Sequence, residues 1–255
     1  MFTYKSREET LIRNAFLAAG IAALALLTGC VGPVPRIEAA PAKLTEIKTI
    51  AVVRTPEPKT YTVMNIGHPG TAFGLVGGLI AAADQISKTN TLSKAYQDQG
   101  TSTSAALTTE VVGQLKAQGY TVNEQDAPWN EKDGRFSLQF DQIQSDADAV
   151  LVIAPTLVGF VSPQNSTEYL PTVTAVATLL GKDRANPLYR GFHSVGWRPT
   201  AEGWRNRLPK TTYPNFSALM TDTRASADAL NGAAADVASS VAVDLKRSSR
   251  MVAAN

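Results

Sequence analysis

One cysteine, two histidines and no apolar run of membrane-spanning length set the first limits on this chain. With Cys30 as its only thiol, it can form no internal disulfide. His68 and His193 lie far apart, and with no second thiol a structural zinc site is not expected. Charge of one sign is also missing. The chain carries 24 Lys and Arg against 22 Asp and Glu, which is not the balance of a nucleic-acid-binding protein. No heptad run and no solenoid-length repeat is present. The glycine-rich segment "GLVGGLIAAA" lacks the lysine that a phosphate loop needs.

What is present starts at the amino end. Lys5, Arg7 and Arg13 stand with Glu8 and Glu9 before an apolar run from Ala15 to Leu27. A bilayer-spanning helix needs about 20 apolar residues, and this run is shorter. A charged start, an apolar stretch of about 7–15 residues and a small-residue exit describe a secretory signal peptide. The small residues Thr28 and Gly29 are followed at once by Cys30.

Leu27-Thr28-Gly29-Cys30 resembles the lipobox of bacterial lipoproteins. The resemblance implies cleavage before Cys30, diacylglycerol on its sulfur and an acyl chain on the new amine. These covalent lipids are the only non-protein groups expected. Several acyl chains anchor firmly where a single one binds marginally, so the expected first partner is the membrane. Val31, rather than aspartate, after the cysteine implies sorting to the periplasmic face of the outer membrane. Removal of residues 1–29 takes three basic and two acidic residues, leaving 24 − 3 = 21 and 22 − 2 = 20, a formal charge of +1.

The expected organisation is a signal peptide at 1–29, a lipidated Pro/Ala tether at 30–43, one α/β domain at 44–247 with an insertion at 57–100, and a tail at 248–255. Ile47 to Arg54 reads as a buried strand stopped by Thr55-Pro56. Ser102 to Gln118 reads as a helix with Leu107, Val111, Leu115 and Gln118 on one stripe, Val112 beside it and Gly119 as its stop. A short strand begins at Tyr120-Thr121-Val122. Phe136, Phe140 and Ile143 have helical spacing across 136–145. Ala147 to Ile153, Tyr169 to Leu180 and Leu188 to Trp197 read as strands, the first a near-continuous apolar run. A closing helix is expected from Ser217 to Lys246, with Leu219, Thr223, Leu230, Ala234, Val237, Val241 and Leu245 on its buried stripe. The sum is a mixed sheet of about five strands with helices mainly on one face.

That element order, with the strands "IKTIAVV" and "ADAVLVIAP", resembles the α/β domain of envelope accessory lipoproteins and periplasmic proteins. These are the curli-export lipoprotein, the outer-membrane activators of cell-wall synthases and the amino-terminal domain of the Tol-system β-propeller protein. The resemblance implies a non-catalytic role in binding an envelope partner or in self-assembly.

Four stretches invite chemistry. Gly191-Phe-His193-Ser194-Val-Gly196 approaches the hydrolase elbow, but its first glycine is one residue too far from Ser194. His193 and Ser194 are adjacent in an expected strand and therefore point to opposite faces. A tethered hydrolase is the rival reading. It requires that pair to share a pocket. Asp146-Ala147-Asp148 could hold a metal or simply form a turn before a strand. Residues 198–215 combine cations with aromatics, and Trp197, Arg198, Trp204, Arg205, Arg207, Lys210 and Tyr213 are a candidate surface for a protein partner or lipid headgroups. Gly70, Gly74, Gly78 and Ala82 recur every four residues and would form one close-packing helix face. That face would meet the protein's own sheet, a second copy or lipid.

Overall fold

The structure, a computed structural model, describes residues 35–70, 74–132, 135–197 and 203–247. Cys30, the cleavage motif Leu27–Gly29, Arg198, the signal segment and the 248–255 tail lie outside the described residues.

A short helix α1 (Pro41–Glu46) leads into strand β1 (Thr49–Val53), whose last four residues are buried, as a β-branched run predicts. Strand β2 (Thr62–Asn65) and the long helix α2 (Gly74–Asp98) follow. Helix α3 (Thr103–Ala117) and strand β3 (Thr121–Gln125) match the expected elements closely. Next come a small antiparallel hairpin, β4 (Asn130–Lys132) with β5 (Arg135–Ser137), and a 3-10 turn at Phe140–Gln142. Strands β6 (Ala149–Ser162), β7 (Leu170–Leu180), β8 (Pro187–Val195) and β9 (Trp204–Arg207) complete the strand set. Helices α4 (Phe216–Thr221) and α5 (Thr223–Asp244) close the chain.

The mixed sheet has seven strands in the order β3-β1-β6-β7-β8-β9, with β2 added beside β6. Strand β6 is its spine. The first half of β6 pairs in parallel with β1, and the second half with β2, from Thr62↔Gly159 to Asn65↔Ser162. Its register against β7 shifts between Pro155 and Leu157. Proline has no N–H to give the ladder, so it marks the irregularity. Past that point the chain resumes as strand, which takes β6 beyond the expected end at Ile153. Gly159 (φ +153°) permits the approach of β2, since a Cβ there would lie 1.9 Å from the Thr62 carbonyl oxygen.

Helices α2, α3 and α5 pack on one face of the sheet. The main core lies between them, with Leu107, Val111 and Leu115 of α3 meeting Leu230, Ala234, Val237 and Val241 of α5. On the opposite face a smaller cluster joins Ala51, Val53, Val150, Val152 and Leu180 to Ile143, Ala147, Trp129, Leu138 and Phe140. Helices mainly on one face of a mixed sheet is therefore the architecture.

Several expectations need correction. The segment 57–100 is integral, because it supplies a sheet strand and a 25-residue helix. Residues 136–145 are not a helix: 135–137 pair with β4, and the three-residue spacing of Phe140 and Ile143 serves a 3-10 turn. The closing helix breaks at Asp222, whose carboxylate accepts from Ala225 N at 2.9 Å and starts α5 afresh. The tether is also shorter than residues 30–43. Ile37 exchanges two 2.9 Å backbone hydrogen bonds with Arg190 of β8, and the compact unit begins at Arg36.

Candidate functional site

The densest polar chemistry lies where β8 faces α5. Tyr189, Gly191 and His193 alternate along β8 and therefore share one face. Gly191 is the enabling residue. A Cβ there would lie 1.9 Å from Tyr189 Oη and 2.6 Å from His193 Nε2. Without one, the phenol reaches over the glycine to Nε2 at 2.7 Å. Helix α5 supplies Ser240 and Asp244, one turn apart. Ser240 Oγ lies 2.9 Å from His193 Nδ1, and Tyr189 Oη donates to Asp244 Oδ2 at 2.8 Å. Because the phenol proton goes to the carboxylate, Nε2 must carry the hydrogen it gives to Oη, and Nδ1 accepts from Ser240.

Asp244 is the last residue of α5, where the helix dipole disfavours a negative charge. Two arginines offset this. Arg36 Nη2 lies 2.5 Å from Oδ2, and Arg205 Nε of β9 lies 2.8 Å from Oδ1 and 3.0 Å from Oδ2. Arg36 also donates to the Gly203 carbonyl at 3.2 Å. One carboxylate thus fastens the start of the folded unit, edge strand β9 and the end of α5. Burial opposes the charge of Arg36, but Glu38 and Asp244 outweigh it and hold its pKa above the ordinary value. Burial, then Asp244, raises the Tyr189 pKa. Burial lowers the His193 pKa to about 4; Asp244 opposes this, while Arg36, Arg205 and Arg207 reinforce it. The imidazole is therefore neutral at neutral pH.

His193 has no exposed surface, and Ser240 is 4 % exposed. Ser194 lies on the other face of β8, where its hydroxyl donates to the Trp197 carbonyl. The adjacent pair that a hydrolase would need does not meet. Gly196 (φ +87°) ends the strand beside Pro171. The aspartate pair is likewise divided. Asp148 Oδ2 accepts from Lys48 N, Thr49 N and Thr49 Oγ1 at 2.9–3.0 Å, which pins the start of β1 and holds its pKa well below the carboxylate range. Asp146 is exposed, and no His/Cys/Asp/Glu group suited to a metal occurs among the described residues.

The cationic-aromatic surface does not stay together. Strand β9 sends Trp204 toward Phe192, ring centroids 5.6 Å apart, while Arg205 and Arg207 pair with His193 and Val195 and face the other way. Lys210 is tied to Asp236 at 3.0 Å, and Tyr213 packs edge-on against Phe160. Trp197 is half-buried.

The glycine ladder is divided too. Gly70 precedes α2 and sits in a turn, where a Cβ would lie 2.6 Å from the Gly77 carbonyl oxygen. Gly74 opens the helix. A Cβ at Gly78 would meet nothing within 4 Å, and Ala82 is exposed. The buried stripe of α2 is instead Gly77, Ala81, Leu92 and Tyr96. Of the expected neighbours, the protein's own sheet is ruled out for Gly78.

Sequence reading passed over Tyr189, Ser240, Asp244 and Arg36. A signal existed in α5, where Ser240 and Asp244 interrupt the apolar stripe of Val237 and Val241 at helical spacing.

No family model matches the chain, and no curated protein matches it. Among solved structures, the chain is similar to "a putative lipoprotein from Caulobacter crescentus CB15", with a TM-score of 0.32, 14% identity, and coverage of 56% of this chain and 80% of that one. A likeness of that degree fixes neither topology nor a correspondence of sites.

Proposed function

We propose that this chain is a lipid-anchored envelope protein that works by binding, held at the periplasmic face of the outer membrane. One observation carries the reading. The sole thiol stands directly after an apolar run and two small residues, in Leu27-Thr28-Gly29-Cys30. Only residues 31–35 separate it from Arg36, where the compact unit begins. Six Cα steps reach about 20 Å at most, so an acylated Cys30 keeps the fold close to its bilayer. No helix among the described residues is long and apolar enough to cross a membrane, which suits attachment by lipid. Binding is favoured over catalysis because the imidazole, phenol and carboxylate best suited to chemistry are engaged with one another in the core. The partner is an envelope protein or a second copy.

Metabolic labelling with an alkyne fatty acid tests this. Wild type is expected to take the label and Cys30→Ala to lose it; an unlabelled wild type or a labelled variant overturns the reading. Density fractionation of the envelope is expected to place the protein with the outer membrane. Serine-hydrolase probes are expected to give no signal that Ser194→Ala removes.

A further inference from the structure

Helix α2 changes character along its length. Its second half is anchored to β2 and the segment before it, running antiparallel to them. Gln97 Nε2 reaches the Lys59 carbonyl at 2.9 Å, Ser93 Oγ accepts from Tyr61 N at 2.8 Å, Thr89 Oγ1 accepts from Val63 N at 2.9 Å, and Gln85 Nε2 reaches the Asn65 carbonyl at 3.2 Å. Asn65 is the end of β2. From Gly74 to Asp84 the helix therefore runs past the strand, for roughly 16 Å at 1.5 Å per residue. Among the described residues, its inner side is closed there by the turn at 66–70, where Gly70 abuts the Gly77 carbonyl and His68 Nε2 lies 3.5 Å from Asp84.

The outer side of this projecting part is aliphatic. Val76 is 70% exposed, Leu79 64%, Ile80 62% and Ile86 61%. Exposed Ala83 lies among them. Farther along the same helical face the exposed residues become Asn90, Lys94, Gln97 and Asp98. The boundary falls near Ser87. No Asp, Glu, Lys or Arg occurs between Lys59 and Asp84. The exposed face thus turns from aliphatic to polar partway along one continuous helix.

We infer that the first three turns of α2 rest in the lipid interface of the bilayer that holds the protein, as a second contact beside the acyl anchor. This rests on the anchored reading given above. Three observations favour lipid as the occupant. The patch has no charge to pair with a partner, and its exposed members are aliphatic, not the Trp, Tyr and Arg that anchor protein interfaces. Its four large side chains present roughly 400–500 Å² of apolar surface, the size of a monomer's largest patch and often functional, whereas a stable dimer needs about 800 Å² from each partner. Finally, an apolar helix flank buried about 5–10 Å at the headgroup–acyl boundary needs no such minimum area. The polar turns from Asn90 onward would then stay in water.

The test exploits the lone cysteine. Acylation leaves no free thiol, so Ile80→Cys and Lys94→Cys each introduce a single labelling site on the same face of α2. The full lipidated proteins, labelled with an environment-sensitive dye, are reconstituted in phosphatidylethanolamine–phosphatidylglycerol vesicles containing nitroxide-labelled acyl chains. Quenching at position 80 is expected to exceed that at position 94 by about threefold or more, with a blue-shifted dye emission at 80. Equal, weak quenching at both positions overturns the inference. A label at 80 that is shielded without quenching, with shielding that deepens as protein density rises, assigns the face to a second copy and also overturns it. Wild type serves as the separate control. If wild type takes the thiol dye, Cys30 is free and the anchored reading fails, independently of what position 80 reports.

Discussion

The edge formed by β8, β9 and α5 and the projecting turns of α2 treat solvent in opposite ways. At the edge, the molecule draws a carboxylate, an imidazole, a phenol and a hydroxyl out of water and pairs them with one another and with two arginines, Asp244 Oδ1 having only its ion pair with Arg205. On α2 it leaves four large aliphatic side chains more than 60% exposed. The difference separates two roles that sequence reading tends to merge. The residues with rich chemistry are here buried and paired with one another. Residues with no chemistry at all form the surface still available to something else.

The largest test of that contrast is Asp244→Ala. Removing the carboxylate leaves Arg36 with only Glu38 and the Gly203 carbonyl, frees Arg205 from its anion and strips the phenol of its acceptor. Breaking a buried ion pair from one side costs about 3–5 kcal/mol. For a unit of this size that corresponds to a fall in Tm on the order of 10 °C by calorimetry. A loss below about 1 kcal/mol would mean that the edge is not the structural knot described, and the comparison would lapse.

Acid provides the next largest effect. In the unfolded chain the imidazole takes its proton near pH 6.5, but in the fold His193 does so only near pH 4. Between those values the unfolded state binds more protons. This residue's contribution is therefore complete above about pH 6.5 and declines as pH falls toward 4, by up to about 3 kcal/mol. Urea midpoints at pH 7, 5.5 and 4 measure the slope, and His193→Gln is expected to flatten it across this window.

How legible this was depends on the range of the forces involved. Strands β1, β6, β7 and β8 and helix α3 were readable because periodicity and turn residues are local. Strand β2 was not: Thr62–Asn65 is a short run that becomes a strand by pairing with residues 159–162, almost a hundred positions away. Edge strand β9 was hidden for the same reason, since only its pairing with β8 reveals that Trp204 and Arg205 face apart. In α2 the small-residue ladder was visible, but the buried stripe lies one residue away. The packing of Leu92 and Tyr96 sets the helix's rotation, and no pattern within 70–82 encodes it. The His193 environment was half legible: strand alternation parted His193 from Ser194, while Asp244 joins only through the tertiary fold.

A smaller effect on stability, paired with a large effect elsewhere, is expected for Ile80→Asp/Ile86→Asp. Both side chains are mostly exposed, so thermal stability of the protein in detergent should change by no more than about 0.5 kcal/mol per site. Quenching by bilayer nitroxides, read from a dye at an added Val76→Cys, should drop to the level of the polar half of α2. A large loss of stability would instead show that these residues pack within the fold.

The smallest effect is the most discriminating for the glycine ladder, and it has the opposite sign. Glycine within a helix costs about 0.8–1.0 kcal/mol relative to alanine, and a Cβ at Gly78 would meet no atom within 4 Å. Gly78→Ala should therefore stabilise the purified protein by up to that amount, seen as a higher urea midpoint with an unchanged slope. Gly159→Ala, where the added atom would strike the Thr62 carbonyl oxygen, serves as the contrasting control and should destabilise. If Gly78→Ala also destabilises, or lowers the oligomeric state by analytical ultracentrifugation, then Gly78 is held against a close neighbour. A glycine retained at a propensity cost would then reflect helix-to-helix approach between copies, and α2 would be an assembly element, not a lipid contact.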